Sequence, residues 1–89
     1  MQGYRELEKI VKGFSNHRRI QILELIYNTP DLSLIDISTK LKVNFKTVGE
    51  HVRKLTISGL VEKRNQGSAV RHKVSKRGKS ILMFLRTLE

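Results

Sequence analysis

Two helix starts set eleven residues apart, at Ser33 and Asn44, constrain what this chain can fold into more than any other feature of it. Ser33 is a good N-cap, and Asp36 three residues on completes a Ser-x-x-Asp capping box. Leu32 and Ile37 fall at N′ and N4, the staple positions that fix how a chain runs into a helix. Asn44 repeats the arrangement, with Val43 and Val48 as its staple. Two stapled starts so close together fix the angle between two short helices.

Within the second helix Val48, Val52 and Leu55 recur at i, i+4 and i+7, so they share one face and are expected to pack on Ile37 and Leu41 of the first. Lys46, Gly49, Glu50 and Arg53 lie on the opposite face. Gly59 stands where a left-handed residue ends a helix, and Leu60-Val61 starts an extended segment. Two helices joined by so short a turn make a helix-turn-helix unit, whose second helix enters the DNA major groove. Read alone, the same stretch also fits an ordinary helical hairpin inside a core.

The flanks supply the rest of the fold. Leu7, Ile10, Val11 and Phe14 sit at i, i+3, i+4 and i+7, an amphipathic helix over residues 4–13 whose stripe fits either core packing or a dimer seam. Asn16 caps a helix over 17–27 that is apolar around most of its circumference and is therefore central. Asn28-Thr29-Pro30-Asp31 makes a turn, because Pro30 lacks an N–H and pushes Thr29 out of helical geometry. Residues 60–74 alternate with period two on both sides of Gln66-Gly67-Ser68, which predicts a β-hairpin with Val70, His72 and Val74 on its apolar face. Ser75 caps a last helix over 75–88, in which Ile81, Leu82, Met83, Phe84, Leu85 and Leu88 are too apolar for an exposed terminal helix; part of that surface is expected to meet a second copy of the chain.

Charge narrows the partner. The 89 residues carry 18 Lys and Arg against 8 Asp and Glu, a formal net charge of +10, which favours a polyanion: nucleic acid first, an anionic membrane second. Residues 60–80 concentrate that field, with seven Lys and Arg against one acid. Lys63, Arg64, Arg71 and Lys73 are expected to project from the hairpin, suited to lying along a phosphate backbone. Lys76, Arg77 and Lys79 crowd the first turn of the last helix against its dipole, which suggests a compensating anion. With no cysteine, disulfides, thiolate metal sites and thiol redox sensing are excluded. The longest apolar run, Ile81 to Leu85, is far short of the roughly 20 residues a bilayer requires, and the N-terminus has no signal-peptide pattern, so a soluble cytoplasmic protein is expected. His17, His51 and His72 fall on three different elements with no acidic cluster beside them, so no metal and no cofactor are expected. No Ser-His-Asp order, carboxylate pair or phosphate-cradling glycine loop stands out, and no catalytic residue is assigned.

The order helix, helix, helix, helix, hairpin, helix resembles the ArsR-type winged helix-turn-helix regulators, and more loosely the MarR-type ones. Four strings carry the likeness along nearly the whole chain. Asn16 to Leu23 resembles the start of the family's second helix. Thr47-Val48-Gly49-Glu50-His51-Val52-Arg53-Lys54-Leu55 resembles its reading helix, often T-V-S-x-H-L-x-x-L. Gly59-Leu60-Val61 matches the G-L-V that opens the wing, and Val74-Ser75-Lys76-Arg77-Gly78 resembles the L-T-x-x-G before the final helix. Gly49 departs from the usual Ser, at a helix cost of about 0.8 to 1 kcal/mol relative to Ala. Metal-sensing members carry E-L-C-V-C-D-L before the turn; here Ser33 and Ile35 replace the two cysteines, and the final helix offers only Glu89 toward the family's other metal site.

The expectation is an α+β winged helix-turn-helix domain over residues 1–89, with the helix-turn-helix at 33–58, the wing at 60–74 and the terminal helices 4–13 and 75–88 at a dimer interface. The expected function is a transcriptional regulator of prokaryotic, ArsR-like type, a nucleoid-associated homodimer reading a pseudo-palindromic site in double-stranded DNA. Lys46, Thr47, Glu50 and Arg53 would face the major groove, Arg53 suited to guanine O6/N7 and Glu50 to a cytosine N4. Asn44, Lys54, Lys63, Arg64, Arg71, Lys73, Lys76 and Arg77 are the candidates for backbone and wing contacts. Leu7, Ile10, Val11, Phe14, Ile81, Leu82, Phe84, Leu85 and Leu88 are those for the dimer interface. His51 matches a position packed between the reading helix and its neighbours. A protein-interaction winged helix, or a sequence-neutral architectural or RNA-binding protein, stands as the alternative.

Overall fold

The computed structural model describes residues 3–89. Its elements run α1 (Tyr4–Phe14), α2 (His17–Asn28), α3 (Leu34–Leu41), α4 (Phe45–Ile57), β1 (Val61–Gln66), β2 (Ala69–Val74) and α5 (Lys76–Arg86). Each expected cap is made. Asn16 Oδ1 accepts from the N–H groups of Arg18 and Arg19, and Asn44 Oδ1 from those of Lys46 and Thr47. The Ser33–Asp36 box is reciprocal, at 3.2 Å from the Asp36 N–H to Ser33 Oγ and 3.0 Å from the Ser33 N–H to Asp36 Oδ2. Ser75 Oγ accepts from the Gly78 N–H at 3.0 Å.

The ends of α3 and α4 are closed differently. Gly59, at φ 76°, ends α4 in a Schellman motif: the Leu60 N–H donates to the Leu55 carbonyl at 2.9 Å and the Gly59 N–H to that of Thr56 at 3.0 Å. Lys42 takes the left-handed position after α3 at φ 55°, and the Val43 N–H closes on the Ser38 carbonyl at 3.2 Å. Residues 42–44 are the whole turn between the two helices.

Ile22, Leu23 and Ile26 of α2 are completely buried and form the centre of the core. Ile37 of α3, Val48, Val52 and Leu55 of α4, and Leu60, Val61 and Val74 of the hairpin join the same cluster. Removing each such side chain from water contributes roughly 1.5 to 3 kcal/mol, offset by the conformational entropy of ordering the chain.

The strands pair antiparallel from Val61↔Val74 to Gln66↔Ala69, with Gly67 at φ 64° in the turn. A third backbone segment joins this sheet. Asp31, at φ 69°, turns the chain so that Leu32 lies alongside β2; the Asp31 N–H donates to the His72 carbonyl at 2.9 Å and the His72 N–H to that of Leu32 at 3.1 Å. His72 is buried, and its Nδ1 donates to the Leu32 carbonyl at 2.8 Å, which makes it a structural residue. Val70 corrects the expected apolar face: it is 41% exposed, because the hairpin overhangs the core beyond His72.

Two glycines mark close crossings. A Cβ on Gly13 would run into the side chain of Ser58, where α1 meets α4, and a Cβ on Gly78 would run into the Leu60 carbonyl, where α5 closes on the hairpin. Neither requirement is visible in local pattern.

Candidate nucleic-acid interface

Burial of Val48, Val52 and Leu55 turns the other side of α4 outward, and Lys46, Thr47, Glu50 and Arg53 are all exposed there. Glu50 and Arg53, one helical turn apart, form a bidentate ion pair: Arg53 Nε donates to Oε1 at 3.0 Å and Nη2 to Oε2 at 3.1 Å. The hydrogen bond and charge of Arg53 hold the Glu50 carboxyl below its usual range, and Glu50 in turn raises the Arg53 guanidinium. Asn44 Oδ1 is committed to its cap, which leaves only its amide NH₂ for a phosphate.

Between α3, α4 and the hairpin lies an open cleft of about 620 Å³, which Arg53, Lys63, Ser68 and Arg71 line on its polar side. Ile35, Phe45 and Val70 give it an exposed apolar lip. Gly49 lines it too, and a Cβ there would come no closer than 3.9 Å to Leu34 Cδ1, so nothing within the described residues requires glycine.

The hairpin cations do not all project freely, as was expected of them. Arg64 and Arg71 stand directly opposite each other in the register, a like-charge pair that destabilises a ladder unless it is neutralised. Asp31 and Asp36 lie against them, with Arg64 Nη2 2.9 Å from Asp31 Oδ1 and Arg71 Nη1 3.6 Å from Asp36 Oδ2. The Asp36 carboxyl is lowered first by its hydrogen bonds from Ser33, then by Arg71 and Lys40. Lys46, Lys54, Lys63, Lys73 and Lys76 make no ion pair among the described residues. Arg77 Nη1 donates to the Ser58 carbonyl at 3.1 Å, so for this one of the three cations the C-terminal end of α4 supplies part of the compensation.

On the far side of α4 from the hairpin, Arg19 is 9% exposed and its Nη2 donates to the Lys12 carbonyl at 3.2 Å, in the last turn of α1. Only its place in the Asn16-to-Leu23 string pointed to it. His51 lies near it; burial depresses its pKa first, and the charges of Arg19, Lys54, Arg18 and His17 lower it further. An imidazole depressed in the folded state takes its proton more readily when unfolded, so its contribution is complete above the ordinary value of 6.5 and is lost as pH falls through that value toward the folded pKa. Urea midpoints are therefore expected to fall from pH 7.5 to pH 5.5, and His51→Gln is expected to flatten the fall; an equally steep profile in the variant would contradict this.

The expected dimer residues divide. Phe14 and Leu82 are 8% and 6% exposed and are taken up by the core of a single chain, a correction to their assignment. Leu7, Ile10, Ile81 and Leu85 are half-buried. Val11 of α1, Phe84 of α5 and Leu88 just past its end remain exposed, as do Tyr4 on α1 and Met83 on α5. Among the described residues no helix is long and apolar enough to cross a membrane, and no group of three or more His, Asp or Glu could hold a metal ion.

A MarR family model matches residues 16–68. Among solved structures, the homodimeric winged helix-turn-helix DNA-binding domain of a "possible ArsR-family transcriptional regulator" from Mycobacterium bovis superposes with a TM-score of 0.83 over 98% of this chain and 86% of its own, at 22% identity. An ArsR-like transcriptional regulator from Rhodococcus sp. RHA1 gives 0.76 at 27% identity, over 96% of this chain and 77% of its own. Reduced HlyU from Vibrio cholerae gives 0.79 at 26% identity, over 94% and 88%. No curated protein matches the chain in sequence.

Proposed function

The chain belongs to the MarR family and has the winged helix-turn-helix fold, and from that premise we propose that it is a sequence-specific, double-stranded DNA-binding transcriptional regulator acting as a homodimer in the cytoplasm. One observation carries the reading: the uncovered face of α4, through Arg53, opens on the same cleft as Lys63 and Arg71 of the hairpin. A helix laid in the major groove through that face brings the hairpin to the flanking backbone. Lys46, Thr47 and Arg53 are the base-reading candidates. Lys54, Lys63, Lys73 and Lys76, which have no carboxylate partner among the described residues, are the phosphate candidates of first choice. Arg64 and Arg71 reach DNA only by leaving Asp31 and Asp36.

Val11, Phe84 and Leu88, with Tyr4 and Met83, are the exposed apolar surface assigned to the dimer. A two-fold pair sets half-site centres about one helical turn apart. The test is selection of bound duplexes from a random pool, run beside a sizing measurement. An enriched inverted repeat with a dimeric mass is the expected result. The rival is a protein-docking surface, which the exposed lip of Ile35, Phe45 and Val70 would favour; a chain that retains no duplex at moderate salt would turn the reading to it.

A further inference from the structure

A guanidinium offers two bidentate edges, the side edge of Nε and one Nη nitrogen and the end edge of Nη1 and Nη2, with five N–H donors fixed in one plane. In Arg53 the side edge is occupied by both oxygens of Glu50. That leaves both N–H groups of Nη1 and one of Nη2, and none of these has an acceptor among the described residues. The end edge matches the O6/N7 pair of guanine in the major groove. Resting on the function proposed above, we infer that Glu50 is a positioning residue for Arg53 and not a base reader: it holds the side edge so that the end edge is presented to one guanine.

The alternative use of Glu50, accepting from a cytosine N4, requires it to turn a carboxylate oxygen out of this pair. Both side chains are about half exposed, at 54% and 56%. An ion pair so exposed stabilises the fold little, so its effect falls on recognition. Arg53 carries several rotatable bonds, and ordering such a side chain at the moment of docking weakens binding by roughly 2- to 12-fold. Glu50 has already restricted it. The carboxylate has a second consequence, since its charge lies among groups that face phosphates, and its removal strengthens binding to any duplex.

Wild type, Glu50→Ala, Arg53→Ala and the double variant are compared on the selected duplex, on each single-base-pair substitution of it and on a scrambled duplex, with urea unfolding as a check on folding. Arg53→Ala is expected to lose a guanine preference of roughly 5- to 150-fold at one position. Glu50→Ala is expected to lose roughly 2- to 12-fold at that same position while holding the scrambled duplex at least as tightly as wild type. In the double variant the Glu50 change adds nothing to the loss of base preference caused by Arg53→Ala, the coupling expected of one unit. Loss of preference at a different base pair, or losses of preference that add in full, would make Glu50 a reader and overturn the inference; an unchanged profile in Glu50→Ala would overturn it too, by showing that Glu50 does not position Arg53. A wild-type protein that enriches no motif overturns the proposed function itself, a result distinct from either.

Discussion

Arg53→Ala is expected to weaken binding to the selected duplex by roughly 1 to 3 kcal/mol and to relax base preference at a single position. Lys63→Ala, across the same cleft, is expected to weaken every duplex alike and to reduce the slope of log K against log salt by about 0.9, the signature of one lost phosphate contact. The two differ because Arg53 stands on the outward face of α4 with one bidentate edge free, whereas Lys63 extends from β1 without an ion-pair partner among the described residues. Arg71→Ala is the poorer probe: Arg71 lies 3.6 Å from Asp36, so its removal also uncovers an acid beside the cleft. Anisotropy titrations on selected and scrambled duplexes between 50 and 200 mM salt separate the outcomes. Matching profiles for Arg53→Ala and Lys63→Ala would contradict the division between reading helix and positioning wing.

Gly78→Ala is expected to cost about 3 kcal/mol, the upper part of the range for overpacking a close contact. For a domain of this size that lowers Tm by on the order of 15 °C. The added methyl would meet the Leu60 carbonyl and come within 2.6 Å of Val74 Cγ1. The carbonyl cannot yield cheaply, because it accepts the Ser75 N–H at 3.0 Å and belongs to the residue that closes the end of α4. Gly13→Ala meets Ser58 in the same way, but there the obstacle is a side chain. In a Ser58→Gly background it should therefore cost distinctly less, a coupling that thermal unfolding of the four proteins measures. A Gly78→Ala protein within about 0.5 kcal/mol of wild type, the spread of ordinary surface changes, would mean that α5 does not close on the hairpin as described.

Recognition of the fold came from signals a few residues long. The caps at Asn16, Ser33, Asn44 and Ser75, the left-handed Gly59 and the stripe of Val48, Val52 and Leu55 each depend on neighbours within one or two turns, and each is met in the structure. The resemblance to ArsR-type and MarR-type regulators rests on the same stretches, and the MarR family match covers three of its four strings in full, leaving out only Val74 to Gly78. The exposed side of α4 was legible for the same reason: once one face is apolar, the other is left to water.

Where the hairpin was concerned, period-two alternation gave its strands and their charge but not how that charge is spent. Arg64 finds Asp31 across 33 positions, and His72 finds the Leu32 carbonyl across 40. Pairs so distant leave no periodic trace, and an arginine bound for a carboxylate reads the same in sequence as one bound for a phosphate. Phe14 and Leu82 show the same limit, since an amphipathic stripe states that a face must be covered and not whether its own chain or a second copy covers it. The sequence by itself determined the elements, their order and their apolar faces, because those follow from contacts within about four residues. Only the tertiary structure decided which cations are already neutralised, which apolar residues are left over, and that Arg53 keeps one edge free, because each depends on what the folded chain brings alongside.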